Sequence, residues 1–377
     1  MRIDNIHLYH IRMPYVTPFQ TSRWTELDRE CVIVRVRAGG LTGWGECCAS
    51  QDCAYSYETV KTNWLILEDF IIPDVLAADL PDIAAYEAAV EHITGHPMAK
   101  AGLEMALWDC FAQAAGVSLQ TFIGGAGNRV PVGVSVGIQP TTRQLLDVVG
   151  GYLAQGYGRV KLKIKPGRDV DDTAAVRGAY PNLRLQVDAN SVYRLQDADR
   201  LKALDDLGLL LIEQPLGRDD IIDHAKLQPL LQTPLCLDES ITSTTHARWA
   251  LELGACRIIN IKPGRVGGLA EAIRVHDYCR ARGVPVWMGG MLETGLGRAA
   301  NVAVASLPGF TLPGDISASA RYYAEDLITQ PFVLNPDSTL SVPTGPGLGV
   351  TVRPEVLEKV TLRQQAFGKT LVTAGRG

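Results

Sequence analysis

The chain has 377 residues, of which 46% are apolar, so it can bury a large core, and its length predicts two or three domains. The net charge is −5 with acidic and basic residues interspersed, which argues against nucleic acid or an anionic membrane surface as the main partner. No apolar run approaches the roughly 20 residues that span a bilayer, and the first residues form no signal peptide, so we expect a cytoplasmic protein.

Residues 1–125 are predicted to form an α+β unit. Its strand-like segments are residues 3–10, 31–36 and 42–46. Helical periodicity follows and is clearest at residues 98–115, where one face is apolar. Two irregular segments, residues 18–24 and 48–57, interrupt the regular pattern and are interpreted as loops.

Charged residues recur at the carboxyl ends of strand-like runs between residues 126 and 325. They are Lys163, Asp188, Glu213, Asp238 and Lys262, at successive spacings of 25, 25, 25 and 24 residues. This period fits one strand, one helix and two loops, which is the unit of a βα barrel. Counting further strand-like runs at residues 132–138, 284–288 and 311–317, we expect eight strands. The predicted fold class is α/β, a modified TIM (β/α) barrel with an α+β capping domain.

Residues 326–377 are predicted to return to the capping domain. Proline and glycine are frequent in residues 335–352, which favours a turn-rich connection over another barrel unit. We expect the last dozen residues to be frayed.

Three lysines share one face of the strand at residues 159–165, because Lys161, Lys163 and Lys165 alternate with apolar residues. Like charges side by side are unfavourable without an anionic partner. The strand could be a solvated edge. We favour a functional site, because in a barrel the carboxyl ends of all strands meet at one face.

Three acids would meet at that face, Asp188, Glu213 and Asp238. They could act as helix caps, but three converging carboxylates in a sheltered pocket also indicate a bound cation. Oxygen ligands with positions left open favour Mg²⁺, and Mn²⁺ should substitute. Adjacent strand residues point in opposite directions, so Asp238 is the expected ligand rather than Glu239.

Lysines on the second and sixth predicted strands would flank this metal from opposite sides. The arrangement suits removal of the proton next to the carboxylate of a small substrate, with Lys163 and Lys262 exchanging the proton and Lys161 neutralising the enediolate. A lysine acts as a base only when its pKa is lowered, which we expect from the neighbouring ammonium and the metal.

The chain resembles the enolase superfamily, within it the muconate-cycloisomerase-like subgroup, and more closely the N-succinylamino acid racemase / o-succinylbenzoate synthase family. The resemblance covers almost the whole chain. The motifs that carry it include Gly133-Val134-Ser135-Val136-Gly137-Ile138, Lys161-Leu162-Lys163, Val187-Asp188-Ala189-Asn190, Glu213-Gln214-Pro215, Asp238-Glu239-Ser240, Lys262-Pro263-Gly264-Arg265, Gly289-Gly290-Met291 and Pro313-Gly314-Asp315.

The resemblance implies specific roles. It makes Lys163 and Lys262 the acid/base pair and the three acids the Mg²⁺ ligands, while Lys161 and Asn190 support the bound carboxylate. An arginine at the position of Arg265 is associated with racemase activity in this family. The other substrate-binding residues implied are Ser135, Met291, Asp315, Phe19 and Tyr55, the last two in the loops of the capping domain that close over the substrate.

The expected activity is racemisation of N-acylated, and specifically N-succinylated, amino acids, with dehydration to o-succinylbenzoate as an accompanying activity. Alternatives are o-succinylbenzoate synthase activity alone, another cycloisomerase or epimerase, and a non-catalytic barrel. The end of the seventh strand, Met288-Gly289-Gly290, carries no histidine, and the eighth strand lacks an Asp-x-Asp motif, which by the resemblance disfavours mandelate-racemase and dipeptide-epimerase chemistry. The glycine-rich residues 289–297 are interpreted as an acyl-group pocket, with a phosphate site as the alternative. We expect a homo-oligomer.

Overall fold

The computed structural model describes residues 1–368 of the chain. In that part, an α+β capping domain lies against a curled parallel sheet with helices, which confirms the predicted fold class. None of the helices within these residues has both the length and the apolar character that crossing a bilayer requires.

The capping domain begins with three antiparallel strands. They are β1 (Asn5–Gln20), β2 (Thr25–Ala38) and β3 (Leu41–Cys47). The helices that follow are α1 (Val60–Ile66), α2 (Ile72–Ala77), α3 (Ile83–Val90), α4 (Pro97–Ala114) and α5 (Leu119–Phe122). The first predicted loop is partly wrong, because Phe19 lies in β1, where it pairs with Glu26 of β2.

Helix α4 packs directly on β3 because small residues meet at the contact. A Cβ atom at Gly45 would lie 2.0 Å from the carbonyl oxygen of Gly102, so a side chain there would push the helix away from the sheet. Around this contact lies the capping core, which includes Ile6, Val34 and Leu103.

The barrel follows a short strand, β4 (Arg129–Pro131). Its strands are β5 (Val134–Val136), β6 (Arg159–Lys163), β7 (Arg184–Asp188), β8 (Ile212–Glu213), β9 (Leu235–Leu237), β10 (Ile258–Ile261) and β11 (Val286–Met288). Its helices are α6 (Thr142–Ala154), α7 (Asp169–Ala179), α8 (Ala198–Lys202), α9 (Ile222–Leu227), α10 (Thr244–Glu252), α11 (Pro263–Val266), α12 (Leu269–Arg280) and α13 (Gly295–Ala305). Within residues 1–368, strands β5 to β11 form one parallel sheet in chain order.

The eighth predicted strand is present only as isolated bridges between the two edges of this sheet. On one side the Gly133 amide donates to the Gly314 carbonyl at 2.8 Å, and on the other the Asp315 amide donates to the Met288 carbonyl at 2.8 Å. The segment contains Pro313, which has no amide hydrogen to add to a ladder. The Gly314 amide also donates to the Pro131 carbonyl at 3.0 Å, and the Leu312 amide to the Val286 carbonyl at 3.4 Å, so a few backbone hydrogen bonds on each side close the ring of strands.

The C-terminal segment leads back to the capping sheet. Its elements are β12 (Thr339–Ser341), which pairs with β4, then α14 (Pro354–Val360) and β13 (Thr361–Gly368), which pairs with β1. Residues 366–368 thus belong to a sheet, contrary to the predicted fraying, and residues 369–377 lie outside the described residues. The predicted domain boundaries at residues 125 and 325 stay a prediction.

A buried glutamate of the capping domain binds the start of a barrel helix. Glu104 of α4 accepts hydrogen bonds from the backbone amides of Leu269 and Ala270, the first residues of α12. These amides have no partner inside their own helix. Burial raises the pKa of Glu104 to about 8, and the amides oppose this shift.

A second glutamate makes an equivalent contact. Glu46 of β3 accepts from the Thr294 hydroxyl at 2.7 Å and from the Gly297 amide at 3.2 Å, at the start of α13. The two glutamates join the domains at two helices that follow the sixth and seventh barrel strands. They therefore fix the capping domain over the carboxyl ends of those strands.

Candidate active site

The strand register brings the three predicted metal ligands to one edge of the sheet. Asp188 pairs with Glu213, and Glu213 pairs with Cys236, so Asp238, which directly follows β9 and lies two residues after Cys236, is on the same face. All three acids are fully buried, at 0% exposure. Because their carboxylates accept from basic side chains in the barrel, they are not exposed helix caps.

Lys161 lies among these acids. Its Nζ is 2.8 Å from Glu213, 3.1 Å from Asp188 and 2.5 Å from Asp315. Burial alone would lower the pKa of Lys161, but Asp315 and Glu213 raise it well above its usual value. Lys161 is thus a permanent cation at the base of the site, and β6 is not a solvated edge.

Lys163 forms one side of the site. Its Nζ donates to Asp188 at 2.6 Å and to the side-chain oxygen of Asn190 at 2.8 Å. It also lies 5.9 Å from the centre of the Phe19 ring, which β1 supplies from the capping domain.

Lys262 forms the opposite side, and β7, β8 and β9 lie between its strand and that of Lys163. Its Nζ is 2.8 Å from Asp238 and 3.1 Å from the Tyr55 hydroxyl, and 4.6 Å from the centre of the Tyr55 ring. Although burial lowers the pKa of Lys262, Asp238 and Tyr55 raise it above its usual value. The expected lowering is absent, because the lysine is paired with Asp238. A cation engaging that carboxylate would weaken this pairing.

A glycine at the end of β11 makes room for Lys262. A Cβ atom at Gly289 would lie 2.7 Å from Cε of Lys262 and 2.1 Å from the side-chain oxygen of Asn260. Any side chain at this position would therefore displace the lysine or the asparagine.

The carboxylate oxygens of Asp188, Glu213 and Asp238 are ligands that suit a hard cation. Burial and the neighbouring Asp188 carboxylate raise the pKa of Glu213 to about 8, and Asp238 contributes in the same direction. A divalent cation would relieve this repulsion between oxygen ligands. Within residues 1–368, no three acidic, histidine or cysteine side chains stand ready to hold a metal ion as they are arranged here. The lysine ammonium groups instead contact the same carboxylates.

Most of the predicted substrate-binding residues line one cavity with a volume of about 60 Å³. The predicted residues at its surface are Phe19, Tyr55, Ser135, Lys161, Lys163, Asn190, Lys262, Met291 and Asp315. The hydroxyl of Ser135 is buried and has no hydrogen-bond partner within residues 1–368, so it can bind a substrate. Small-molecule pockets usually measure roughly 300–1,000 Å³, so the surrounding loops or side chains must move to admit a substrate.

Arg265 does not line this cavity, contrary to its assignment as a substrate-binding residue. It is 2% exposed and lies behind Asp238, where its guanidinium binds the Asp238 carboxylate and the carbonyl oxygens of Ile241 and Asn260. Its positive charge lowers the pKa of Lys262, and it also contacts that lysine's neighbours Asp238 and Tyr55.

Two residues that position the site were missed in the sequence. Asn260 donates to Glu213 at 2.7 Å, and Arg159 binds Asp315 at 2.5 Å. Asn260 lies two positions before Lys262, which directly follows β10, and Arg159 lies two positions before Lys161 in β6. Strand alternation places such residues on the same face, and this signal could have found both.

Two family models match the chain. The model described as Enolase C-terminal domain-like matches residues 144–356, and the N-terminal domain model of mandelate racemase / muconate lactonizing enzyme matches residues 5–124. The chain belongs to the enolase superfamily.

Similar members of the enolase superfamily carry two names. An o-succinylbenzoate synthase of Geobacillus stearothermophilus is 51% identical over 98% of this chain and 99% of that relative. An N-succinylamino acid racemase of Amycolatopsis sp is 52% identical over 98% of this chain and 100% of that relative. The crystal structure of an enolase-superfamily member from Listeria innocua has a TM-score of 0.94 at 40% identity, covering 98% of this chain and 99% of that chain.

Proposed function

We propose that this protein racemises N-succinylamino acids by Mg²⁺-dependent transfer of the proton next to the carboxylate. One observation carries the proposal: Lys163 and Lys262 line opposite sides of one cavity, with three buried carboxylates between their strands. Two bases on opposite sides of a carbon are what inversion at that carbon requires.

Asp188, Glu213 and Asp238 would hold the Mg²⁺, and Mn²⁺ should substitute. When bound, the metal would neutralise the charge that develops on the substrate's carboxylate. Lys161 adds a fixed positive charge beside the same acids, which stabilises that charge further.

The two lysines divide the proton transfer between them. Lys163 removes the α-proton of one enantiomer and Lys262 delivers a proton to the opposite side, and the roles reverse for the other enantiomer. Ser135 and Asn190 hold the carboxylate end of the substrate, while Met291, Phe19 and Tyr55 enclose the rest and exclude water.

Dehydration to o-succinylbenzoate is the second proposed activity. Relatives named for this reaction and for the racemase match the chain about equally well, at 51% and 52% identity. Dehydration needs only Lys163 as base and then as acid, with Lys262 serving as a cation. We expect both activities in a cytoplasmic homo-oligomer, and light scattering after size-exclusion chromatography tests the oligomeric state.

Incubation of each N-succinylamino acid enantiomer with the enzyme and Mg²⁺ in deuterated water tests the proposal. We expect deuterium at Cα and conversion of either enantiomer into the racemate. If neither enantiomer gains deuterium, the enzyme is no racemase, and assays with the o-succinylbenzoate precursor, muconates and acid sugars then decide between the alternatives.

A further inference from the structure

We propose that Arg218, in the loop that follows β8, is a positioning residue for Lys262 and acts through Tyr55. This inference deepens the proposed function and rests on it. We call the side of the cavity formed by Lys262 the Lys262 face and the opposite side the Lys163 face. Arg218 would hold the Lys262 face in place.

Tyr55 is the direct neighbour of Lys262. Its hydroxyl donates to Asp238 at 2.9 Å and accepts from the Lys262 Nζ at 3.1 Å. It is buried, with 6% exposure, although it belongs to the irregular capping loop at residues 50–57. Because a lysine side chain has many rotamers, the hydroxyl and ring of Tyr55 restrict where the Lys262 amine can lie.

The capping loop has little support of its own. Within the described part of the chain, the backbone of residues 51–57 makes no hydrogen bond to another backbone group. Arg218 supplies a hydrogen bond from outside the loop, because its guanidinium donates to the Tyr55 carbonyl oxygen.

Two further contacts hold the same pair of loops together. The Arg218 guanidinium lies 4.3 Å from the centre of the Tyr57 ring, and the Tyr57 hydroxyl donates to Asp219. We call Arg218, Asp219 and Tyr57 the loop latch. It joins the barrel loop after β8 to the capping loop at the Tyr55 carbonyl and at Tyr57, two residues further along.

The Lys163 face is held by the capping sheet and does not depend on contacts between loops. Its aromatic neighbour, Phe19, lies within β1 and pairs with Glu26 of β2, so the sheet fixes its backbone. Loss of Arg218 should therefore disturb Lys262 and leave Lys163 unchanged. A purely structural role for Arg218 would weaken both faces equally.

Exchange of the Cα proton in deuterated water separates the two faces. The enantiomer that still exchanges in Lys163→Ala is the one that Lys262 deprotonates. In Arg218→Ala we expect exchange of that enantiomer to fall about tenfold or more, since a misplacement of about 1 Å can cost 100-fold. The other enantiomer should stay within about twofold of the wild-type rate.

Arg257→Ala is the matched control. Arg257 also donates to a backbone carbonyl, that of Gln232 at 3.2 Å, but it precedes β10 at the opposite end of the barrel. It should leave both exchange rates unchanged. In a Tyr55→Phe background, Arg218→Ala should add less than it does alone, because the two act on one contact. Equal slowing of both enantiomers, or of neither, would overturn the proposal.

Amide hydrogen exchange tests the latch without catalysis. Arg218→Ala should speed exchange in the peptide covering residues 50–57 and leave the peptide covering residues 18–24 unchanged. Unchanged exchange at residues 50–57 would sink the inference even if the wild-type enzyme racemises. Conversely, a wild-type enzyme that exchanges neither enantiomer refutes the proposed function, and the peptide result then tests only the contact between the two loops.

Should Arg218→Ala misfold, Arg218→Lys keeps the charge, loses the planar donor pair and allows the same measurements.

Discussion

The two lysine faces of the site share a plan and differ in how it is held. Each lysine has one carboxylate at the end of a barrel strand and one aromatic ring from the capping domain: Asp188 and Phe19 for Lys163, and Asp238 and Tyr55 for Lys262. The sheet holds Phe19, whereas side-chain contacts between two loops hold Tyr55.

This difference suggests that the two faces are held with different rigidity. The aromatic ring of the Lys163 face lies in the sheet, so its geometry should vary little. The other depends on side chains at the surface, such as Tyr57 at 69% exposure, which can change without disturbing a core. Measuring Cα exchange of each enantiomer separately, after metal removal or a substitution, can therefore test this comparison of the two lysine faces.

Metal removal should have the largest effect and should not distinguish the faces. Treatment with a chelator is expected to abolish Cα exchange of both enantiomers, since the carboxylate charge would then lack its main counter-charge. Added Mg²⁺ or Mn²⁺ should restore both rates together. Full exchange by chelator-treated enzyme would contradict the proposed metal site.

Removal of one lysine should separate the faces completely. Lys163→Ala and Lys262→Ala should each lower racemisation by more than about 100-fold, because loss of a general base typically costs 10²–10⁴. Each variant should still exchange one enantiomer, and the two variants should retain opposite ones. Lys165→Ala, on the chain just past β6, is the control and should stay active. Racemisation above about a hundredth of the wild-type rate in either site variant argues against two bases.

The aromatic neighbours should produce smaller effects, each on one face. Tyr55→Phe keeps the ring but loses the hydroxyl that contacts Lys262 and Asp238, so exchange on the Lys262 face should fall about tenfold. Phe19→Leu removes the ring near Lys163 and should slow only the opposite enantiomer, by a few-fold. Deuterium incorporation into each enantiomer measures both. Equal effects on the two enantiomers would show that the faces are not independent.

Glu104→Gln should change the stability of the fold but not the Cα exchange rate of either enantiomer. The raised pKa of about 8 means that folded Glu104 keeps a proton that the unfolded chain loses above about pH 4.5, so stability falls as pH rises from about 5 to 8. Glutamine cannot ionise, and it loses one acceptor for the α12 amides. We expect a melting temperature a few degrees lower at pH 5.5 and a smaller decline toward pH 9 than in the wild type. A variant with the wild-type pH dependence would exclude Glu104 as its source.

Much of the site could be predicted because it depends on strand geometry. Alternation along β6 places Lys161 and Lys163 on one face, and the regular spacing places Asp188 and Glu213 at the same edge. Both statements need only local rules and the parallel order of the strands.

The remaining features depend on contacts that those rules do not describe. Arg265 lies four residues after Ile261, the last residue of β10, yet the turn of α11 directs its side chain behind Asp238 instead of into the cavity. Phe19 was predicted to lie in a loop because residues 18–24 interrupt the regular pattern, although pairing with β2 extends the strand across it. Residues 366–368 also pair with a strand far away in the chain. Long-range pairing of this kind leaves no local pattern.

The absence of a side chain at Gly289 has a consequence for how such enzymes can diverge. A side chain at position 289 would occupy space that Lys262 and Asn260 now fill. A lineage that introduces a larger residue after β11 must therefore also move or replace one of these two side chains, whereas replacement of Lys262 leaves Gly289 free to stay.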